Sequence, residues 1–285
     1  MKRFLVTTTG RVEYRCIGSG EVILVCHGGH SSCQDHLCIK GFDLASYQFV
    51  IPSRPGYGST SLKGHESPEA TANLFASLMD ELLIDRFHLI GISAGGLTAL
   101  AMASLFPHRI STLVLMSAAT SRWLNKTDLL YWMARVMFHP QIEYLTWKLN
   151  LMFATAFPSL FARFFFRQVS TERQFSNVDS KELISMIRNQ RSGKGFVNDL
   201  EQGLTNQAIK GVISPTLIVH SHKDKAVNVK HALEAKAMIS HSWVILLHNK
   251  WGHMIWFDKN YQEVANQIDH FLNNKCLTQN SNTLN

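Results

Sequence analysis

Ser93 stands in Gly91-Ile92-Ser93-Ala94-Gly95, a G-x-S-x-G run between the short apolar stretch Phe87-His88-Leu89-Ile90 and an alanine-rich helical pattern reaching Leu105. A serine on so sharp a strand-to-helix turn is forced toward positive φ, and the residues two positions to either side must lack bulk, as Gly91 and Gly95 do. Its hydroxyl then projects above the sheet at a helix amino terminus, where N–H groups and the helix dipole favour developing negative charge. A glycine-rich turn with an incidental serine is the plainer reading, and the strand-turn-helix context argues against it. A serine hydroxyl is a poor nucleophile unless a base takes its proton and a third group holds that base in one tautomer. Both partners are on offer just beyond later apolar runs: Asp224 after Thr216–Val219, and His253 after Trp243–Leu247. Among fourteen histidines, His220, His222 and His248 compete by position. His253 is preferred because it alone combines a post-strand loop with a preceding glycine. Asp128 and Asp199 follow no core strand and are weaker candidates than Asp224. A tetrahedral intermediate also needs N–H donors for its oxyanion, and removing one such donor typically costs about 10² to 10³ in rate. The amide of Ala94 supplies one, and Gly29 in His27-Gly28-Gly29-His30 the other, with His30 beside it.

These residues must be held by a scaffold, and the chain sets one out. Glu21–Cys26 reads as a buried strand running into the glycine loop, and Tyr47–Ile51 as a second strand ending at the turn-rich Pro52–Ser59. Ser67-Pro68-Glu69 carries a capping serine, a proline at the first helical position and an acid in the first turn, and Leu74, Leu78 and Leu82 follow on one face. Leu113–Met116 is a further strand. After Ala119 the strand-helix alternation stops for about ninety residues of helical pattern and then resumes at Thr216, the mark of an inserted subdomain. Tyr261, Val264, Ile268 and Leu272 define a last helix, and a polar tail follows from Cys276.

Composition removes other classes. The 285 residues are 46% apolar and 17% charged, enough to build a sizeable core. Five cysteines without a CxxC pair suggest neither a disulfide framework nor a zinc site, and His27, His30, Cys33, His36 and Cys38 match no standard ligand spacing, so no metal is expected. The amino terminus is too short an apolar run for a signal peptide, and no stretch is long enough to span a membrane. A soluble cytoplasmic protein is the expectation. The net charge of +7 is concentrated in residues 121–210, where 12 Lys or Arg face 7 Asp or Glu and 14 of the 29 aromatic residues lie. No nucleic-acid module accompanies it, so nucleic acid is not an expected partner.

Together, His27-Gly28-Gly29, Arg54-Pro55-Gly56-Tyr57-Gly58-Ser59, Gly91-Ile92-Ser93-Ala94-Gly95 and Gly252-His253 resemble the oxyanion loop, second glycine loop, nucleophile elbow and histidine loop of the α/β-hydrolase superfamily, in the branch with a helical cap after the sixth strand. The order Ser93, Asp224, His253 is that of the family as well. The resemblance implies an α/β fold with an eight-stranded, mostly parallel sheet and helices on both faces. It assigns residues 1–120 and 211–275 to the core, 121–210 to the cap and 276–285 to the tail, and needs no cofactor. His30-Ser31-Ser32 stands where the aminopeptidase-like branch carries Pro-Gly, and Pro52 where many members have an aspartate, and both argue against a peptidase. Ser93 argues against the relatives that attack with an aspartate.

Within the inserted segment, Phe153, Phe157, Phe161 and Phe165 recur at spacing four, with Pro158 starting a new helix. Packing of cap helices on the core accounts for such a stretch. A lipophilic substrate pocket, with Phe153, Phe157, Phe161 and His30 as substrate-binding residues, is compatible with that packing, and peripheral contact with a membrane surface stays open. The expected function is hydrolysis of a lipophilic carboxylic ester through an acyl-enzyme. The same constellation could cleave an amide, a thioester or a carbon–carbon bond or transfer the acyl group, and a small-molecule receptor with a vestigial triad is the non-enzymatic alternative. Oligomeric state is not readable.

Overall fold

Uninterrupted apolar runs of about six residues cannot leave a face to water, so they belong in strands covered on both sides. A computed structural model describes residues 1–175, 180–276 and the backbone of 283–284. Its strands are β1 (Arg3–Val6), β2 (Arg11–Gly18), β3 (Glu21–Cys26), β4 (Tyr47–Pro52), β5 (Phe87–Ile92), β6 (Ile110–Met116), β7 (Thr216–Ser221), β8 (Ser242–Leu247) and β9 (Thr283–Leu284). They form one sheet in the order β1-β2-β4-β3-β5-β6-β7-β8-β9. The pairs β1–β2 and β2–β4 are antiparallel and all others parallel.

Successive strand residues point to opposite faces. Ile23, Val25, Ile90 and Val114 therefore enter one core, and Leu24, Cys26, Leu89 and Leu113 the other. The second face is covered by α1 (Pro68–Glu81), α2 (Gly95–Leu105) and α9 (Lys230–Met238), and the first by α10 (Tyr261–Asn274) with part of the long helical segment. Helix α1 begins as its sequence dictates: Ser67 Oγ accepts from the Ala70 amide at 3.1 Å, with Pro68 at the first position.

Register aligns the chemistry. Cys26 pairs with Gly91, Ile92 with Met116, Met116 with Val219, and Ser221 with Leu247, so the strands end along one edge of the sheet. The loops bearing Gly29, Ser93, Asp224 and His253 all leave from that edge.

Among the described residues, the elements between β6 and β7 are helices: α3 (Leu129–Met137), α4 (Glu143–Ala156), α5 (Pro158–Val169), α6 (Ser180–Asn189), α7 (Gly195–Asp199) and α8 (Asn206–Lys210). Proline at the first position of α5 ends α4, as its inability to donate requires.

Two features lie outside the sequence expectations. The hairpin β1–β2 alternates Val12 and Tyr14 with Glu13, which is itself fully buried and held by Lys2 Nζ at 2.7 Å and by the Ser59 amide. Charged residues break the apolar signal there, although the Lys2 contact and an antiparallel edge make them tolerable. The ninth strand is the other: Thr283–Leu284 pairs with Leu246 and Leu247 in the region expected to be a loose tail. Residues 277–282 and 285 of that tail lie outside the described residues.

Candidate active site

The turn after β5 has the geometry its glycines imply. Ser93 sits at φ +49°, its amide donates to the Met116 carbonyl at 3.1 Å, and its own carbonyl accepts from Gly96 and Ala119 at 3.0 and 2.9 Å. A Cβ on Gly95 would stand 2.1 Å from the Cys26 carbonyl oxygen, and one on Gly91 would stand 2.6 Å from Ala99 Cβ. Both glycines let α2 close against β3 and β5.

Above the turn three side chains from distant segments meet. His253 Nε2 lies 3.1 Å from Ser93 Oγ, and His253 Nδ1 lies 2.8 Å from Asp224 Oδ2. Because an ionised carboxylate only accepts, Nδ1 carries the proton toward Asp224 and leaves Nε2 to accept from the serine hydroxyl. Asp224 is 4% exposed, and its other oxygen accepts from the Val227 amide at 2.8 Å. Burial alone would raise its pKa, but His253 and His220 outweigh that and hold it at about 2. His220 Nε2 donates to the Val227 carbonyl at 2.9 Å and lies 3.3 Å from Asp224 Oδ2. The competitor histidine thus sits behind the acid, away from the serine contact.

The end of α5 braces both loops, which sequence reasoning missed. The Val169 carbonyl accepts from the amides of His253 (2.9 Å) and Lys225 (3.2 Å), and Ser170 Oγ donates to the Lys250 carbonyl at 2.6 Å. Gly252 turns at φ +55°, and a Cβ there would stand 2.6 Å from the Val169 carbonyl oxygen. Main-chain acceptors leave no mark in the sequence; only the glycine before His253 hinted at a tight approach.

The glycine loop after β3 is held from below and above. His27 Nδ1 donates to the Gly28 carbonyl at 2.7 Å, so its Nε2 accepts the Arg54 amide at 2.8 Å. Burial, with Arg54 beside it, holds His27 well below the usual histidine range. The Arg54 guanidinium, 2% exposed, grips Asp199 of α7 through two bonds of 2.7 and 2.8 Å, and the Tyr57 hydroxyl donates to Asp199 as well. Asp199, weighed in the sequence only as an alternative acid, instead ties α7 to the second glycine loop.

The amides of Ala94 and Gly29 donate to no other group of the protein among the described residues. Gly29 lies under the Phe196 ring, which a Cβ would approach at 3.3 Å. His30, at φ +62°, stacks on Phe196 with centroids 3.9 Å apart and lies 2.8 Å from Ser192 Oγ through Nδ1. Burial, with a smaller contribution from Arg54, pulls its pKa down to about 3. Phe153, Phe157 and Phe161 contact one another where α4 meets α5, and Phe161 belongs to the core that also holds Ile90 and Trp147. Phe153 meets Phe157 at 6.2 Å and Phe161 at 5.5 Å, with Phe161 buried and Phe157 exposed.

The family model for the alpha/beta hydrolase fold matches residues 21–260. The chain belongs to this family. An uncharacterized hydrolase, YcgS, of Bacillus subtilis (strain 168) is 38% identical over 283 residues, covering 95% of this chain and 99% of that protein. A 2-hydroxy-6-oxononadienedioate/2-hydroxy-6-oxononatrienedioate hydrolase of Burkholderia vietnamiensis is 33% identical over 118 residues, 39% of this chain and 41% of that enzyme. Among solved structures, an alpha/beta hydrolase fold protein from Nakamurella multipartita superposes with TM-score 0.75 at 20% identity, over 95% of this chain and 99% of that one. The protein is therefore an α/β-hydrolase enzyme. Among the described residues, no helix of this hydrolase is long and apolar enough to cross a membrane.

Proposed function

We propose that this hydrolase cleaves a lipophilic carboxylic ester through an acyl-enzyme, with Ser93 as nucleophile, His253 as general base and acid, and Asp224 as the group that orients His253. The reading rests on one observation: the unbroken chain from Ser93 Oγ to His253 Nε2 (3.1 Å) and from His253 Nδ1 to Asp224 (2.8 Å). Ser93 Oγ attacks the ester carbonyl while its proton passes to Nε2. The amides of Ala94 and Gly29 take the oxyanion. Collapse breaks the C–O bond, and Nε2 returns the proton to the leaving alcohol. A water molecule, deprotonated by the same nitrogen, then attacks the acyl-enzyme, and the acid leaves with Ser93 restored. The helical segment 121–210 acts as a cap over the site. Phe161, which is buried, and Phe153, which is half-buried, would with His30 hold a lipophilic acyl group, and Phe157, which is exposed, would stand at its outer end. Five unpaired cysteines are in keeping with a cytosolic location.

A fluorophosphonate should label the wild-type enzyme at Ser93, identified by peptide mass spectrometry. Ser93→Ala should escape labelling and lose about 10⁴-fold or more in ester hydrolysis. Labelling that persists in the variant refutes the nucleophile. Carbon–carbon bond hydrolysis is the second reading, favoured by the partial match to the Burkholderia enzyme. Turnover of a 2-hydroxy-6-oxo-dienoate, set against a p-nitrophenyl ester series of increasing acyl length, separates the two.

A further inference from the structure

Helices α3, α4 and α5 turn apolar side chains outward. On α3, Leu129, Trp132 and Val136 fall at helical spacing on the exposed side, Leu129 at 75% exposure. On α4, Leu145, Leu149 and Met152 repeat the pattern, and Leu160 and Phe164 extend it along α5, Phe164 at 50% exposure. The helices abut: Thr146 Oγ1 donates to the Met137 carbonyl at 3.0 Å, and Phe153 meets Phe164 at 6.3 Å. Isolated surface leucines are ordinary, whereas outward apolar rows on three successive helices mark a surface made to be covered.

Charge says by what. Lys148 stands in the outward row of α4, and Arg163 and Arg167 in that of α5. The three helices contain a single acid, Glu143, which is 4% exposed and held by Arg191 at 2.6 Å. A second copy of the chain laid on this face would bring cations against cations. An anionic bilayer supplies both the hydrocarbon that the leucines and aromatics require and headgroup phosphates for Lys148, Arg163 and Arg167.

We propose that the outward face of α3–α5 docks this protein on the surface of an anionic lipid bilayer, with the apolar rows entering the headgroup boundary. The inference uses exposure and charge alone and does not depend on the ester reading. Co-sedimentation with sucrose-loaded vesicles tests it, using the 285-residue Ser93→Ala chain so that turnover cannot affect the result. Binding should be strong on phosphatidylcholine vesicles containing phosphatidylglycerol, weak on pure phosphatidylcholine, and reduced by added salt. Leu145→Glu/Leu149→Glu/Leu160→Glu should lose roughly tenfold or more of that binding while keeping the melting temperature of the parent. Lys148→Glu/Arg163→Glu/Arg167→Glu, which leaves the apolar rows intact, should abolish the preference for anionic vesicles and serves if the first variant misfolds. Absence of binding to either vesicle, or binding indifferent to lipid charge and to charge reversal, overturns the proposal. So does a concentration-dependent dimer in sedimentation velocity that the leucine substitutions disperse, since a second copy would then be the occupant.

Discussion

At the scale of single residues, Asp224 and His30 show how burial and neighbours divide tasks among similar groups. Asp224 keeps its charge in a buried place because His253 and His220 face it and the Val227 amide donates to it. Asp224→Asn should leave the backbone of the turn in place but let the imidazole adopt the wrong tautomer. Ester hydrolysis should then fall by about 10⁴-fold in kcat with little change in KM. An activity near wild type would remove Asp224 from the reaction. His30 has the opposite bias, since packing against Phe196 favours the neutral ring. Its folded pKa, about 3, lies below the ordinary 6.5, so the stability it contributes is complete above 6.5 and is lost as pH falls toward 3. Asparagine tolerates the left-handed backbone at this position. Urea unfolding of His30→Asn should therefore show a deficit at neutral pH that shrinks as the medium is acidified. A deficit independent of pH would mean that the ring's neutrality does not matter to folding.

At the scale of elements, one ion pair joins α7 to the second glycine loop. Arg54 and Asp199 are both nearly inaccessible and bonded twice, with Tyr57 completing the cluster. Removing one partner strands a charge in a dry place. Asp199→Ala should cost about 3–5 kcal/mol by denaturant titration, whereas Arg54→Met/Asp199→Leu should regain most of that loss. A double variant as unstable as the single one would show that the cluster stabilises through more than its charges. Arg54 also bonds His27 in the first glycine loop, through its amide to Nε2 and through its Nε to the main-chain carbonyl, so the pair bears on where the Gly29 amide points. The strands and helices that frame this cluster were mostly readable in advance. Glu21–Cys26 and Thr216–His220 have the continuous apolar signature of doubly covered strands. The β1–β2 hairpin was not readable, because Arg11, Glu13 and Arg15 interrupt its pattern and Glu13 finds its cation, Lys2, only after the chain folds.

At the scale of the whole molecule, the helical segment and the sheet are joined on both sides of the site. Val169 and Ser170 bond to the histidine and acid loops, and Arg191, Ser192 and Asp199 bond to the loops bearing His30 and Arg54. Such coupling leaves little room for one part to melt alone. Thermal unfolding followed by far-ultraviolet circular dichroism and by tryptophan fluorescence should give coincident single transitions. The probe covers both parts, since Trp123, Trp132 and Trp147 lie in the helical segment and Trp243, Trp251 and Trp256 outside it. Two separated transitions would mean that the helical segment opens independently of the sheet.

Local rules sufficed for the serine turn, the two glycines beside it, the loops that follow β7 and β8, and the family. Each depends on backbone geometry or burial over a few consecutive residues, which residue type alone encodes. Contact between distant segments settled the rest. That Asp199 answers Arg54, that the Val169 carbonyl holds the His253 loop and that His30 lies beneath Phe196 are matters of chain packing. A main-chain oxygen looks the same in every residue, and a carboxylate pairs with whichever cation folding brings near it.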